Sequence, residues 1–222
     1  MTTFERRQRI VGLLREQPGI RVPELARHLD VSESTIRNDL RALERAGELT
    51  RVWGGAVVRN GRDSISRAFG ARTKVNATAK RRIARWAADM VEDGNSVLLD
   101  SSSTVFHIAP FLLERSNLTI ITNGIEVAYA LAENPTHTII LIGGILRPDQ
   151  ALTVGHLGEK ILENLHIKTA FVSCSGFTVE KGLTQVDIQE AQLKSRMIAS
   201  ADRVVALIDS TKFGNVDLTP FA

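Results

Sequence analysis

The chain has 222 residues, long enough for one large domain or for a small domain of roughly 60 residues beside a larger one. Its formal charge of +3 hides an asymmetry: residues 1–100 carry 19 Lys plus Arg against 13 Asp plus Glu, whereas residues 101–222 carry 9 against 12. One cysteine, Cys174, leaves no disulfide framework within one chain and fits a reducing cytoplasm, and the apolar runs, such as 138–142, fall far short of the roughly 20 residues that cross a bilayer.

The basic residues of 1–60 are all arginines, eleven of them, suited to bidentate contacts with phosphates and guanine edges. No apolar core follows this arginine-rich start, so it does not read as a signal peptide. Ile10, Leu13 and Leu14 give residues 4–14 a helical spacing that stops at Gln17-Pro18-Gly19. A short second helix is expected over 22–29, with Pro23 at its start and Glu24 beside it. Asp30-Val31 makes a turn, Ser32 is a good N-cap, and Ile36, Leu40 and Leu43 give a third helix one buried stripe.

Two helices joined by so short a turn form a helix-turn-helix. At about 100° per residue, Ser34, Asn38, Arg41 and Arg45 lie opposite the apolar stripe, with Thr35 and Arg37 on its flanks. Ser34, Thr35, Arg37, Asn38 and Arg41 are therefore candidates for contacts with bases and phosphates in a major groove. Two short β-type runs across 48–58 read as a wing hairpin, with Arg51 placed for a backbone phosphate. Trp53 reads either as part of the wing surface or as a packing residue that closes the small core.

The polar turn Asn60-Gly61-Arg62-Asp63 marks a boundary. Domains are expected at 1–58 and 77–222, joined by a linker over 59–76. Residues 83–91 have helical spacing, and the roles of Arg72 and Lys80 stay open between structural charge and domain coupling. From Ser96 a short apolar strand, a polar loop and a helix alternate five times, which predicts a mainly parallel α/β sheet covered on both faces. One of those helices is expected to run through 105–113 despite Pro110.

Ligands of such sheets bind beyond the carboxyl ends of the strands. That criterion selects Asp100, Ser102, Ser103 and Thr104 as a phosphate cradle, with Thr122, Asn123, Gly143, Gly144 and Lys212 around the rest of a polar ligand. An enzyme on this fold would need a positioned acid and base. Asp187, Glu190 and Lys194 share a helical face, but the expectation for them is a solvated, ion-paired surface. The histidines 28, 107, 137, 156 and 166 have no partner at ligand spacing, so no catalytic residue, metal site or cofactor is expected. Cys174 reads as a core residue.

The stretch Val31-Ser32-Glu33-Ser34-Thr35-Ile36-Arg37-Asn38-Asp39-Leu40, with Leu43-Glu44 and then Arg51 ahead of Gly54-Gly55-Ala56, resembles the helix-turn-helix signature of the DeoR-type regulators of sugar metabolism. Asp100 with Ser103-Thr104, Thr122-Asn123, Gly143-Gly144, Arg147, Gly155, Gly182-Leu183-Thr184, Glu190-Ala191, Lys194 and 209–214 resemble landmarks of that family's sensor domain, so the likeness covers almost the whole chain. Departures are Asn38 for a second Arg, Trp53 for His, and Ser102 for a frequent Gly. The resemblance implies a sensor fold similar to sugar-phosphate isomerases and a DNA-binding repressor, not an enzyme, released from its double-stranded operator by a phosphorylated sugar or a related intermediate. It also implies a homodimer or homotetramer in the cytoplasm, away from membranes, and a chain that stops at Ala222 short of the family's usual final strand and helix.

Overall fold

A computed structural model of the chain describes residues 1–17, 20–46, 48–52, 55–58 and 67–222. Pro18-Gly19, Gly47, Trp53-Gly54 and the boundary turn 60–63 lie outside the described residues. The chain divides into two compact units, Met1–Ser64 and Ile65–Ala222.

The first unit begins with α1 (Thr3–Glu16), opened by a capping box in which Thr2 accepts from the Glu5 N–H and Glu5 from that of Thr2. Helix α2 (Val22–Leu29) ends where Asp30 takes a left-handed conformation (φ 50°), and Asp30-Val31-Ser32 turn the chain into α3 (Glu33–Arg45). Ser32 Oγ accepts from the Thr35 N–H at 3.2 Å, satisfying one of the orphan donors at the start of α3. Strands β1 (Leu49–Val52) and β2 (Gly55–Val58) pair antiparallel, Leu49 opposite Val58 and Val52 opposite Gly55. Ile10, Leu14, Leu25, Leu29, Ile36, Leu40, Leu43, Leu49 and Ala56 pack into one core, so the three helices and the hairpin form a winged helix-turn-helix.

The second unit starts with helix α4 (Arg67–Lys74), which lies inside the stretch expected as linker, and continues with α5 (Ala77–Ala88). Five parallel strands follow: β3 (Ser96–Leu99), β4 (Thr119–Thr122), β5 (Thr138–Leu141), β8 (Ile167–Val172) and β11 (Ala201–Ala206), in the spatial order β11-β8-β3-β4-β5. Side chains alternate across the sheet. Val97 and Leu99 of β3 join a core with α5 and three short helices, α6 (Ser103–Phe106), α7 (Ala109–Leu112) and α8 (Ile125–Leu131). Leu98 joins a second core on the other face with α9 (His156–Leu162) and α10 (Ile188–Ala199).

Two further elements of the second unit depart from expectation. The helix expected over 105–113 is two helices, because Pro110 has no N–H to bond back and its ring excludes the carbonyl four residues earlier; it sits instead in the first turn of α7. Two antiparallel additions were not foreseen: a hairpin of β6 (Ile145–Arg147) with β7 (Leu152–Val154), and a small sheet of β9 (Gly176–Thr178), β10 (Gly182–Gln185) and β12 (Thr219–Pro220).

The β6–β7 hairpin explains Gly144. Gly144 has φ +147°, and a Cβ there would stand 2.3 Å from the Val154 carbonyl oxygen, whereas a Cβ on Gly143 meets nothing within 4 Å. Gly144→Ala is therefore expected to lower the unfolding free energy by about 1–3 kcal/mol, with Gly143→Ala close to neutral, in urea denaturation of the full chain.

Candidate functional site

On α3, Ser34, Arg37, Asn38, Arg41 and Arg45 are exposed and Thr35 is half-buried, all clear of the core stripe Ile36, Leu40 and Leu43. Ser32 Oγ lies 2.7 Å from Ser34 Oγ and 2.8 Å from Thr35 Oγ1, so the cap also orients the first two hydroxyls of the face. Arg37 pairs with Glu33 at 2.5 Å, and Arg41 donates to Asn38 Oδ1 at 3.3 Å. Arg51 on β1 is exposed, its N–H donating to Glu44 at 3.1 Å. The structure thus gathers the six expected DNA-contact residues on one helix face and the adjoining hairpin. Hydrogen-bonding and cationic groups on a protruding helix are what major-groove reading requires.

The second unit has a cavity of about 290 Å³ at the carboxyl ends of β3, β8 and β11. Its position follows from topology: β3, β4 and β5 step one way across the sheet while β8 and β11 step the other, so the loops after β3 and β8 diverge and leave a crevice. Ser102, Ser103, Thr104 and Lys212 of the expected ligand set line it. Ser102 Oγ accepts from the Val105 N–H at 3.2 Å, so this hydroxyl caps α6.

Thr122, Asn123, Gly143 and Gly144 do not line this cavity, because β4 and β5 lie beyond β3 from the crevice. Thr122 Oγ1 accepts from the Gly124 N–H and shapes its own loop, while Asn123 Nδ2 donates to the Thr153 carbonyl and ties β7 to the sheet; both bonds are buried. Asp100 is fully buried beneath the cavity. Its carboxylate accepts from the Ser102 N–H at 2.8 Å and the Ser173 N–H at 2.7 Å, and pairs with Lys194 Nζ at 3.1 Å.

Glu190 and Lys194 overturn the expectation of a solvated face: their side chains are 8% and 2% exposed, and Lys194 bonds Glu190 at 3.3 Å and the Ser173 carbonyl at 2.7 Å. Burial pulls the Lys194 ammonium down, but Asp100 and Glu190 outweigh it and hold the pKa above the usual lysine value. Cys174 is buried as expected yet lines the cavity, and burial raises its thiol pKa.

The sequence reading left Arg72 and Lys80 undecided and missed Asn76, Ser173, Gln185, Asp209 and Thr211, all in the cavity wall. Lys80 is buried, its Nζ donating to the Arg72 carbonyl at 2.8 Å and to Ser103 Oγ at 3.0 Å. Its pKa is lowered, chiefly by burial and in part by Lys212 and Arg72, against the pull of Asp209. Burial would raise the Asp209 carboxyl, but hydrogen bonds from Thr211 and the charges of Lys80 and Lys212 bring it below its usual value. Gln185 Oε1 is buried with no hydrogen-bond partner among the described residues.

The wall holds four cations, Arg72, Lys80, Lys194 and Lys212, against Glu190 and Asp209, and with Asp100 beneath it paired to Lys194 a positive charge is still left over, a field suited to an anion. A second cavity of about 310 Å³, at the amino ends of β8 and β11, is lined by Glu159, Glu163 and Asp202 with Arg196 and His166, and opposes one. Among the described residues there is no cluster of His, Cys, Asp or Glu able to hold a metal and no helix long and apolar enough to cross a membrane. Lys194→Met leaves Asp100 and Glu190 buried without their cation; an unfolding free energy lower by about 3–5 kcal/mol is expected in urea titration.

Comparison with known proteins bears on both units. The DeoR-like helix-turn-helix domain matches residues 6–62, and the DeoR C terminal sensor domain matches residues 75–222. The HTH-type transcriptional regulator GolR of Listeria innocua is 42% identical over 214 residues, 96% of this chain and 84% of that protein. A putative aga operon transcriptional repressor of Escherichia coli O157:H7 is 33% identical over 97% of this chain and 81% of its own length, and the L-fucose operon activator of Haemophilus influenzae is 35% identical over 96% and 85%. All three are named as regulators of transcription, none as an enzyme. With both domains matched in this order and such relatives along nearly the whole chain, the protein belongs to the DeoR family of helix-turn-helix transcription regulators.

Proposed function

We propose that the protein represses a carbohydrate-utilisation operon from the cytoplasm and is released from its double-stranded operator by a phosphorylated sugar or a related metabolite. The observation that carries this reading is the cavity: a cationic wall, a row of hydroxyls and one buried acceptor without a donor. Arg72, Lys80 and Lys212 with Ser103 and Thr104 suit a phosphate, and Gln185, Glu190 and Asp209 suit sugar hydroxyls. Repression is the sign preferred here because the aga operon relative is named a repressor, although the fucose relative is named an activator.

In this reading residues 1–58 bind DNA, 59–76 connect, and 77–222 sense. The connection is more than a tether, since Arg72 and Asn76 line the cavity and the Arg72 carbonyl is held by Lys80. A phosphate that accepts from Lys80 and Ser103 competes with that bond and so acts on the end of α4, the helix nearest in sequence to the DNA-binding unit. Ligand then favours one arrangement of a homodimer or homotetramer over another. Two-fold dimers read half-sites about 34–36 Å apart or multiples of that, so a small rotation is enough to forbid simultaneous docking.

Fluorescence anisotropy of the full-length protein on the DNA upstream of its own gene, with a panel of sugar phosphates, tests this. Tight sequence-specific binding weakened by one compound is expected; binding that no compound changes would remove the ligand assignment. Arg37→Ala is expected to weaken operator binding by about tenfold or more, and unchanged affinity would sink the role given to α3. Lys212→Ala and Lys80→Met are each expected to raise the concentration of sugar phosphate needed for release by about tenfold or more while DNA affinity without ligand stays the same; a normal response in both would place the ligand elsewhere.

A further inference from the structure

Asp39 is an acid on the recognition helix with 3% of its side chain exposed, and none of the six residues assigned to DNA explains it. Two arginines of α1 answer it: Arg6 Nε donates to Oδ2 at 2.6 Å and Arg7 Nε to Oδ1 at 2.9 Å. The arginines are not equivalent, the Arg6 side chain being 14% exposed and that of Arg7 39%. One buried carboxylate beside two guanidinium groups leaves a charge over, and exposure assigns it to Arg7. Among the described residues the Nη groups of both arginines have no partner.

Position gives this surplus charge a use. At about 100° per residue, Asp39 and Glu44 fall on opposite flanks of the Ser34/Asn38/Arg41/Arg45 face. Glu44 holds the backbone N–H of Arg51 from the hairpin on one flank, and Asp39 holds Arg6 and Arg7 from α1 on the other. A helix lying in a major groove has a phosphate strand on each side of it, so an arginine on each flank meets one strand each.

We infer that Arg7 is a backbone-phosphate contact, that Asp39 is the residue that positions it, and that Arg6 is the buried counter-charge that keeps Asp39 from neutralising it. This rests on the assignment of α3 as the DNA-reading helix and extends the DNA-binding surface to the start of α1. A carboxylate that fixes the Nε edge leaves the Nη edge aimed, so the ordering entropy of a long side chain is met on folding instead of on binding.

The test measures affinity of the full chain for the duplex upstream of its own gene and for a scrambled duplex of equal length, across a salt series. Arg7→Gln is expected to weaken both by about tenfold and to reduce the slope of log K against log salt by about 0.9 per protomer. Arg9→Gln, which removes the same charge from the far side of α1, is expected to leave the slope unchanged. Asp39→Asn raises the net charge by one, so charge counting alone calls for tighter binding; positioning calls for weaker binding to both duplexes. An Arg7→Gln slope equal to that of wild type, or tighter binding by a folded Asp39→Asn, would overturn the inference while leaving the α3 reading intact. Wild-type protein that does not distinguish the two duplexes would overturn both. If Asp39→Asn does not fold, judged by circular dichroism, Arg7→Gln decides.

Discussion

A carboxylate with no contact to solvent has to be satisfied entirely by the protein around it, and Asp100 is satisfied by three different parts of the chain. The Ser102 amide comes from its own loop, the Ser173 amide from the end of β8, and the Lys194 ammonium from α10. These bonds span the crevice between β3 and β8 and determine how far apart its walls stand. Glu190 adds a second acid to the same ammonium, and Lys194 returns a bond to the Ser173 carbonyl, so no charge in the group is left alone. The hydroxyl row after β3 and the wall after β8 are thus parts of one ionic assembly, with the cavity as its open side.

The first unit applies the same device at smaller scale. Asp39 joins α1 to α3 and Glu44 joins the hairpin to α3, so the exposed face between them is braced from both sides by ion pairs and hydrogen bonds. Apolar packing among Ile10, Leu25, Ile36, Leu40 and Leu49 supplies the cohesion, and the two acids set the orientation. The units differ in what is placed where. In the first, a buried acid, Asp39, stands at the margin of an apolar core; in the second, Asp100, Glu190 and Lys194 are buried together beneath a polar cavity.

The elements of the first unit were legible because each is signalled locally: the apolar period, Ser32 as a cap, and the two short β-type runs across 48–58. Strands of the parallel sheet were legible as apolar runs closed by polar loops, and the helix over 188–199 by its spacing. What escaped is non-local. Strand order decides which loops border the crevice, so Asn123 and Gly144 looked like ligand loops on the same grounds as Thr104, though one braces β7 and the other admits the Val154 carbonyl. Glu190 and Lys194 read as solvated because charge usually is; only the burial of Asp100 opposite them reverses that, and nothing within α10 announces it. Arg72 and Lys80 showed no pattern that could be read before α4 and α5 were brought against the loop after β3.

The middle strand β3 carries a consequence for synthesis. It pairs with β8, Leu98 beside Ala170, and the cavity still awaits Asp209 and Lys212 beyond β11. A chain made from its N-terminus completes the core of α1 to β2 within its first 58 residues, whereas Val97 of β3 waits for Thr169 of β8 before the sheet can close. The part that grips DNA is therefore available to fold on the ribosome well before the part that governs it, and the interval between the two is set by translation speed.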